Sequence, residues 1–434
     1  MNILFYVEPW VEKNWPAWRD LWLSMVHAPL CQALAQMPEA HCFFLTGSAQ
    51  TMALHQFDGW LDYRNATVTP EELSPLFPDA LTAMLAWNGD SASATQTQNM
   101  IALLKHKLDG FVPDIIVNYF TPAPFLAEAF PDALILHEDY AAFSRAPFPV
   151  AFSFDPCGLM RHGFLARYAV TLRQQPVPPE GRNFLAAVRG HIGADILQKR
   201  NPFTRAQITH GKNFQHLILL PLQVGQSFAF EGQGTFTSQL GMLEHVLASL
   251  QPTIGVVVTE HSDWERSLTP EVLADLRARF PHFLYSTEFD DYLYPAQFLL
   301  PLVDGVATLS SSVGLQALLW HKPICALGQS QINAVADCTA LEHFPALLET
   351  GLNEQRRAAQ DALLLFLFTR FIVPASADYL YNPAWLHDRL TLWQENFRRG
   401  VNADFFPPLD TLPRLLQHYL HHTDRDVPKR RAIV

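Results

Sequence analysis

The segment that most narrows the folds open to this chain is residues 301–330, PLVDGVATLSSSVGLQALLWHKPICALGQS. Residues 303–309 form a short apolar run of strand type, Ser310, Ser311 and Ser312 interrupt it, and residues 313–320 carry apolar side chains at helical spacing. A second apolar run at 323–327 ends at Gly328. The pattern predicts strand, serine turn, helix and strand, a βαβ unit that requires a parallel sheet. Such a turn gathers hydroxyls and backbone N–H groups at a helix N-terminus, where the helix dipole favours a phosphate. Serine also begins many helices simply as a cap, so the unit alone leaves nucleotide binding and plain capping both open. Gly314, in the first helical turn, costs about 0.5–1 kcal/mol relative to alanine, which points to close approach of a ligand or a strand.

At 434 residues the chain suits two domains, and 49% hydrophobic against 17% charged residues provides large cores and little material for disordered tails. A formal net charge of −12 argues against a nucleic-acid-coating protein, while leaving room for local capture of an anionic sugar nucleotide. Basic residues gather at Lys429, Arg430 and Arg431, either as a solvated terminus or as a peripheral contact with an anionic inner-membrane surface. Five cysteines, Cys31, Cys42, Cys157, Cys325 and Cys338, are odd in number and form no CxxC pair, which predicts reduced thiols in a cytoplasmic protein. The start MNILFYVEPW has no basic n-region or cleavage site, and the longest apolar run, 362–373, is interrupted by Arg370 and too short to span a bilayer.

Along the chain, strands are expected at 2–7, 41–46, 114–119 and 133–137, with 50–108 mostly helical. Trp10, Trp15, Trp18 and Trp22 follow the first strand, as core or as a surface that stacks on sugar faces. Glu138 and Asp139 come directly after the fourth strand, at the edge where open α/β sheets bind ligands, so each is a candidate general base or a turn cap. Residues 143–158 read as a long loop and 201–212 as the boundary between halves. Alternation then restarts, with strands at 216–222, 253–259 and 283–286 before the serine unit, and helices at 353–369 and 383–397 after it. Gln223 and His261 end the first two of these strands, as the serines end the fourth, and a His there can bond a phosphate or serve the departing nucleotide. With neither GxGxxG nor a Walker loop, the expectation is an α/β protein of two Rossmann-like domains facing a cleft, GT-B-like. Residues 1–200 would form the acceptor domain, 213–375 the nucleotide-sugar domain, and 376–434 closing helices and a tail.

Leu220-Pro221-Leu222-Gln223, the strand ending at His261, and above all Leu309 to Leu318 with Lys322-Pro323 resemble the bacterial capsule and O-antigen β-Kdo transferases. Glu138-Asp139-Tyr140 resembles the acidic motif of that family's first domain. The resemblance implies a GT-B fold, a CMP-linked ulosonic acid donor, a saccharide or glycolipid acceptor, retention of configuration, and no metal or other cofactor. Serines such as Ser311 and Ser312 would hold the CMP phosphate, with Ser310, Gly314 and Gln223 completing the donor site. His261 would assist the phosphate and Glu138 would deprotonate the acceptor. One departure stands out: where the family carries a carboxylate shortly after the glutamine, this chain has Gln226 and Ser227, and the first acid met is Glu231.

A ketosidic centre passes through an oxocarbenium-like state, so retention by double displacement needs a facing carboxylate, Glu231 or another. The donor's own carboxylate needs a cationic partner, for which Arg145, His321 and Lys322 are candidates. The leading expectation is therefore a CMP-ulosonic glycosyltransferase acting on capsule or lipopolysaccharide O-antigen glycan. The alternatives are a catalytically silent homologue acting as a binding or assembly subunit, and a UDP-sugar transferase or epimerase.

Overall fold

The computed structural model describes residues 1–9, 22–37, 39–59, 62–261 and 266–423. Trp10, Trp15, Trp18, Ser262, Lys429, Arg430 and Arg431 lie outside the described residues. Two α/β units emerge, each around its own sheet.

The first sheet holds β1 (Asn2–Tyr6), β2 (His41–Gly47), β3 (Arg64–Val68), β4 (Ile115–Tyr119), β5 (Leu134–Tyr140), β6 (Ala151–Asp155) and the much later β12 (Ile372–Pro374). Its order is β12-β6-β5-β4-β1-β2-β3. The ladders from β3 through to β5 are parallel, and β5 pairs β6 antiparallel. Strands such as β1, NILFY, read as continuous apolar runs because helices cover both faces of a parallel sheet.

The second sheet holds β7 (His216–Pro221), β8 (Ile254–Thr259), β9 (Phe283–Leu284), β10 (Gly305–Thr308) and β11 (Ile324–Ala326), in the order β11-β10-β7-β8-β9. Every ladder in it is parallel. Read in the direction of chain growth, strands one to five lie in the order 3-2-1-4-5 in both units, the doubly wound Rossmann arrangement.

Several sequence expectations are corrected. The 50–108 stretch contains β3, whose RNATV is too polar to stand out as a strand but completes a parallel edge beside β2. The expected loop at 143–158 contains β6, where AFSFD returns antiparallel along β5. That pairing extends β5 through Tyr140, so Glu138 and Asp139 lie within the strand, opposite Phe154 and Ser153.

The division of the chain also differs from 1–200, 213–375 and 376–434. The first unit comprises Met1–Tyr140, Phe152–Leu159 and Val373–Phe406, and the second comprises the remaining described segments. Residues 160–200 join the second unit: Phe164, in helix Phe164–Arg173, stacks on Phe366 at 5.8 Å, and Arg189, further along, bonds Leu318 O, Leu319 O and Asp361. Helix Pro383–Arg398 joins the first unit through Trp393 against Phe154 and Gln394 against Asp114 O. Among the described residues no helix is long and apolar enough to cross a membrane.

His137, in β5, accepts a hydrogen bond at Nδ1 from Asn118 at 2.9 Å, which requires a neutral ring, and burial pulls its pKa from 6.5 down to about 4. The unfolded chain therefore binds this proton more readily, so the contribution to stability is whole above about pH 6.5 and fades as pH falls towards 4. Urea denaturation at about pH 7 and about pH 4.5 should show a loss of up to roughly 2 kcal/mol from this group, and His137→Gln should reduce the loss.

Candidate functional site

In a sheet of order 3-2-1-4-5 the crossovers leave a crevice at the carboxyl edge between strands one and four, here β7 and β10. Residues following those two strands meet across it in the second unit. Gln223 Nε2 donates to Ser310 Oγ at 2.6 Å, and Ser310 N donates to Gln223 Oε1 at 3.2 Å. Ser310 Oγ in turn donates to Ala229 O. Gln223 is fixed from behind, its own N–H bonding Gln239 Oε1 at 2.9 Å. Ser310, 3% exposed, is thus a clasp that holds the turn shut against the segment after β7.

Ser311 and Ser312 are different. Both are half-buried at the start of helix Val313–Gln316, which continues as the tighter turn Ala317–Trp320. Ser311 N donates to Thr308 Oγ1 at 3.2 Å and its Oγ accepts from Val313 N at 3.3 Å, while Ser312 Oγ makes no capping bond. Gly314 has a packing reason: a Cβ there would lie 3.0 Å from Ile332 Cδ1 and 3.1 Å from Thr308 Cγ2, so it is bare to let the helix close on its neighbours.

The stretch after β7 brings an acid to this turn. Ser227 caps the short helix Phe228–Glu231 through Ala229 N, and Gln226 takes a left-handed φ of 52°. The same helix supplies the carbonyl that Ser310 binds, which places half-buried Glu231 two residues along the chain from the clasp. From the other side, Gln331 Nε2 donates to Ser310 O at 2.8 Å and Ser330 Oγ to Leu309 O at 2.7 Å.

On the far side of β7, β8 delivers Glu260 and half-buried His261 to the same edge. Glu260 Oε1 accepts from Ser267 N at 2.6 Å and Leu268 N at 3.0 Å, while its buried Oε2 has no hydrogen-bond partner among the described residues. Burial raises its pKa above the ordinary carboxylate value. Nothing in the sequence separated this strand-end acid from an ordinary turn residue.

The first unit carries a matching arrangement that the sequence did not announce. Its crevice lies between β1 and β4, and Glu8 after β1 accepts from Thr121 Oγ1 after β4 at 2.8 Å. Glu8 is 5% exposed, also meets Tyr6 Oη at 3.5 Å, and lines a small cavity with Trp87, Met84, Met100 and Phe125.

Glu138 is wholly buried. Its Oε2 meets His27 Nε2 at 2.6 Å and accepts from Trp22 Nε1 at 3.1 Å, and its Oε1 is buried with no hydrogen-bond partner among the described residues. Trp22 stacks on Tyr119 at 4.2 Å and meets Tyr140 edge-on at 4.5 Å, so an aromatic wall surrounds the pair. Asp139, on the other face of β5, is half-buried. The structure therefore separates the two acids: Glu138 is locked inward and Asp139 is turned the other way.

Two of the cationic candidates are misplaced for the serine turn. Lys322 and His321 precede β11, at the amino edge of the sheet, whereas the serines lie at its carboxyl edge. His321, in the left-handed region, ends the helix and bonds Asp361 at 2.7 Å beside Arg189. Lys322 lies close to Asp304 and Arg205, where burial lowers its pKa. Arg145 holds its guanidinium 5.6 Å from the ring centre of Tyr294 within the second unit.

His27→Leu should strand the Glu138 carboxylate in an apolar pocket and cost about 3 kcal/mol in chemical denaturation, more than exposed His55→Leu would. Gly328→Ala would drive a Cβ to 2.4 Å from the backbone oxygen of Gln233, beside the clasp, and should destabilise the second unit by roughly 2 kcal/mol in the same assay.

Residues 194–349 match the family described as capsule polysaccharide biosynthesis protein, and no curated protein matches. Among solved structures, Thermosulfurimonas dismutans KpsC, beta Kdo 2,7 transferase, aligns at 11% identity and TM-score 0.44, covering 97% of this chain and 99% of that one. The KpsC beta Kdo 2,4 transferase of the same organism aligns at 16% identity and TM-score 0.35, covering 61% and 83%. Anabaena HepE in complex with UDP aligns at 11% identity and TM-score 0.38, covering 92% and 100%. The assignment of the fold rests on the two sheets themselves. The matched segment, residues 194–349, holds the entire second sheet and its clasp.

Proposed function

We propose that the protein is a glycosyltransferase of capsule polysaccharide synthesis, GT-B in arrangement, that moves a Kdo-like ulosonic acid from a CMP-activated donor to a surface-glycan acceptor. The observation that carries this reading is the second unit's crevice between β7 and β10, where the clasp leaves Ser311 and Ser312 half-buried at a helix start. Parallel pairing sends His261 and Glu260 to the same edge, and the matched family segment covers all of them. In this reading Ser311 and Ser312 bond the CMP phosphate, with the helix start supplying dipole and N–H groups. Gln223, Ser310 and Gly314 shape the turn without needing to touch the ligand.

The transfer step needs an acid facing the anomeric carbon and a base for the acceptor hydroxyl. Glu231 is the candidate for the first role because the clasp holds its helix against the serine turn. For the second, Asp139 and Glu8 join Glu138, whose buried, doubly bonded Oε2 suits it to hold a charge in place more than to meet a substrate in this conformation. His261 would protonate or bond the departing phosphate.

The replacement of the expected acid by Gln226 and Ser227 favours one other reading, a subunit that binds the nucleotide sugar without turning it over. Titration calorimetry with CMP, UDP and GDP tests the donor class. CMP should bind tightest, and Ser311→Ala and Ser312→Ala should each weaken it about tenfold, the value of one charge-assisted bond. Equal affinity for all three nucleotides, or none, would overturn the CMP reading. Release of CMP from CMP-Kdo, lost in Glu231→Gln, would favour the enzyme; binding with no release would favour the silent subunit.

A further inference from the structure

Cys325 lies in β11, and Cys338 pairs with it across an isolated parallel bridge. Ala326 N donates to Cys338 O at 3.0 Å and Cys338 N donates to Ile324 O at 3.2 Å, so the two backbones are held in strand register. Paired strand residues sit about 4.8 Å apart, within the roughly 4.4–6.8 Å that a disulfide spans between Cα atoms. Paired in parallel register, the two residues send their side chains to the same face, and both are free thiols.

The bridge stands at the root of residues 325–338, and this loop braces the serine turn. Leu327 N bonds Thr308 O at 2.9 Å, Gln329 N bonds Gln233 O at 2.6 Å, Ser330 Oγ bonds Leu309 O, and Gln331 Nε2 bonds Ser310 O. A covalent bond between the two sulfurs would close the loop at a point where the two backbones are already paired. Two other thiols, Cys31 and Cys42, are both buried, at 0% and 4% exposure. Cys338 is half-buried and so within reach of a small molecule.

We propose that Cys325 and Cys338 form a reversible disulfide site, closed by a low-molecular-weight disulfide and reopened by thiols, that staples the loop bracing the serine turn. Cys338, the more exposed of the two, attacks first, as its thiolate. It forms a mixed disulfide and expels one thiolate of the reagent. Cys325 then gives its proton to that thiolate and attacks Cys338 sulfur, expelling the second. Two protein thiols are oxidised and one small disulfide is reduced to two thiols. The proposal does not rest on what the serine turn binds.

The test uses oxidised glutathione on the full-length, folded chain, with peptide mass mapping. The peptide holding both cysteines should become two hydrogens lighter, and dithiothreitol should restore it. Cys325→Ser should instead trap a glutathione adduct on Cys338, and Cys338→Ser should leave Cys325 unmodified. A wild-type peptide that keeps its thiol mass or stops at the glutathione adduct would overturn the proposal. So would a disulfide found at Cys31 and Cys42 while Cys325 and Cys338 stay reduced.

Discussion

When β7 and β10 lie side by side and parallel, both must leave the sheet at the same edge, and the crossovers that follow them run to opposite faces. A gap is unavoidable there, lined by whatever residues come directly after the strands. Chemistry that a linear chain scatters over more than eighty positions, Gln223 to Ser310, is gathered by this pairing alone. The first unit obeys the same geometry, which is why Glu8 and Thr121 meet although they are far apart in sequence.

Both crevices are crossed by polar side chains bonded to one another, and the reason is desolvation. A buried hydroxyl or amide without a partner costs more than its bond would contribute, so a polar group at a strand end must find a mate or a ligand. In the second unit Gln223 and Ser310 are mates, which leaves the neighbouring serines to meet solvent. Buried Glu138 follows the same rule more severely. A carboxylate with no exposure needs donors, and His27 and Trp22 provide them from the helical segment beside β5. Fixing Trp22 in turn orders Tyr119, Tyr140 and Phe152 around it.

The parallel core was legible in the sequence because continuous apolar runs such as those of β1, β7 and β8 have few other uses. The serine turn was legible for a related reason, a polar triplet wedged between a strand and a helix. Edge strands were not. β3 is half-exposed and polar, and β6 hid among prolines and aromatics that read as loop. The roles within the triplet were also out of reach, since partners such as Ala229 and Thr308 only become neighbours once the sheet is built. His27 gave no signal at all: a histidine in an apolar stretch does not declare that it faces an acid more than a hundred positions away.

The seventh strand of the first sheet, β12, comes from residues 372–374, after the whole second sheet has been made. Until that point emerges from the ribosome, β6 has β5 on one side and an open row of N–H and C=O groups on the other. Helix Pro383–Arg398 arrives later still. The unit that begins the chain therefore stays incomplete until the whole second sheet has been made, and during synthesis its bare edge is a docking strip for any extended segment that passes, which gives rapid completion of the polypeptide a value beyond yield.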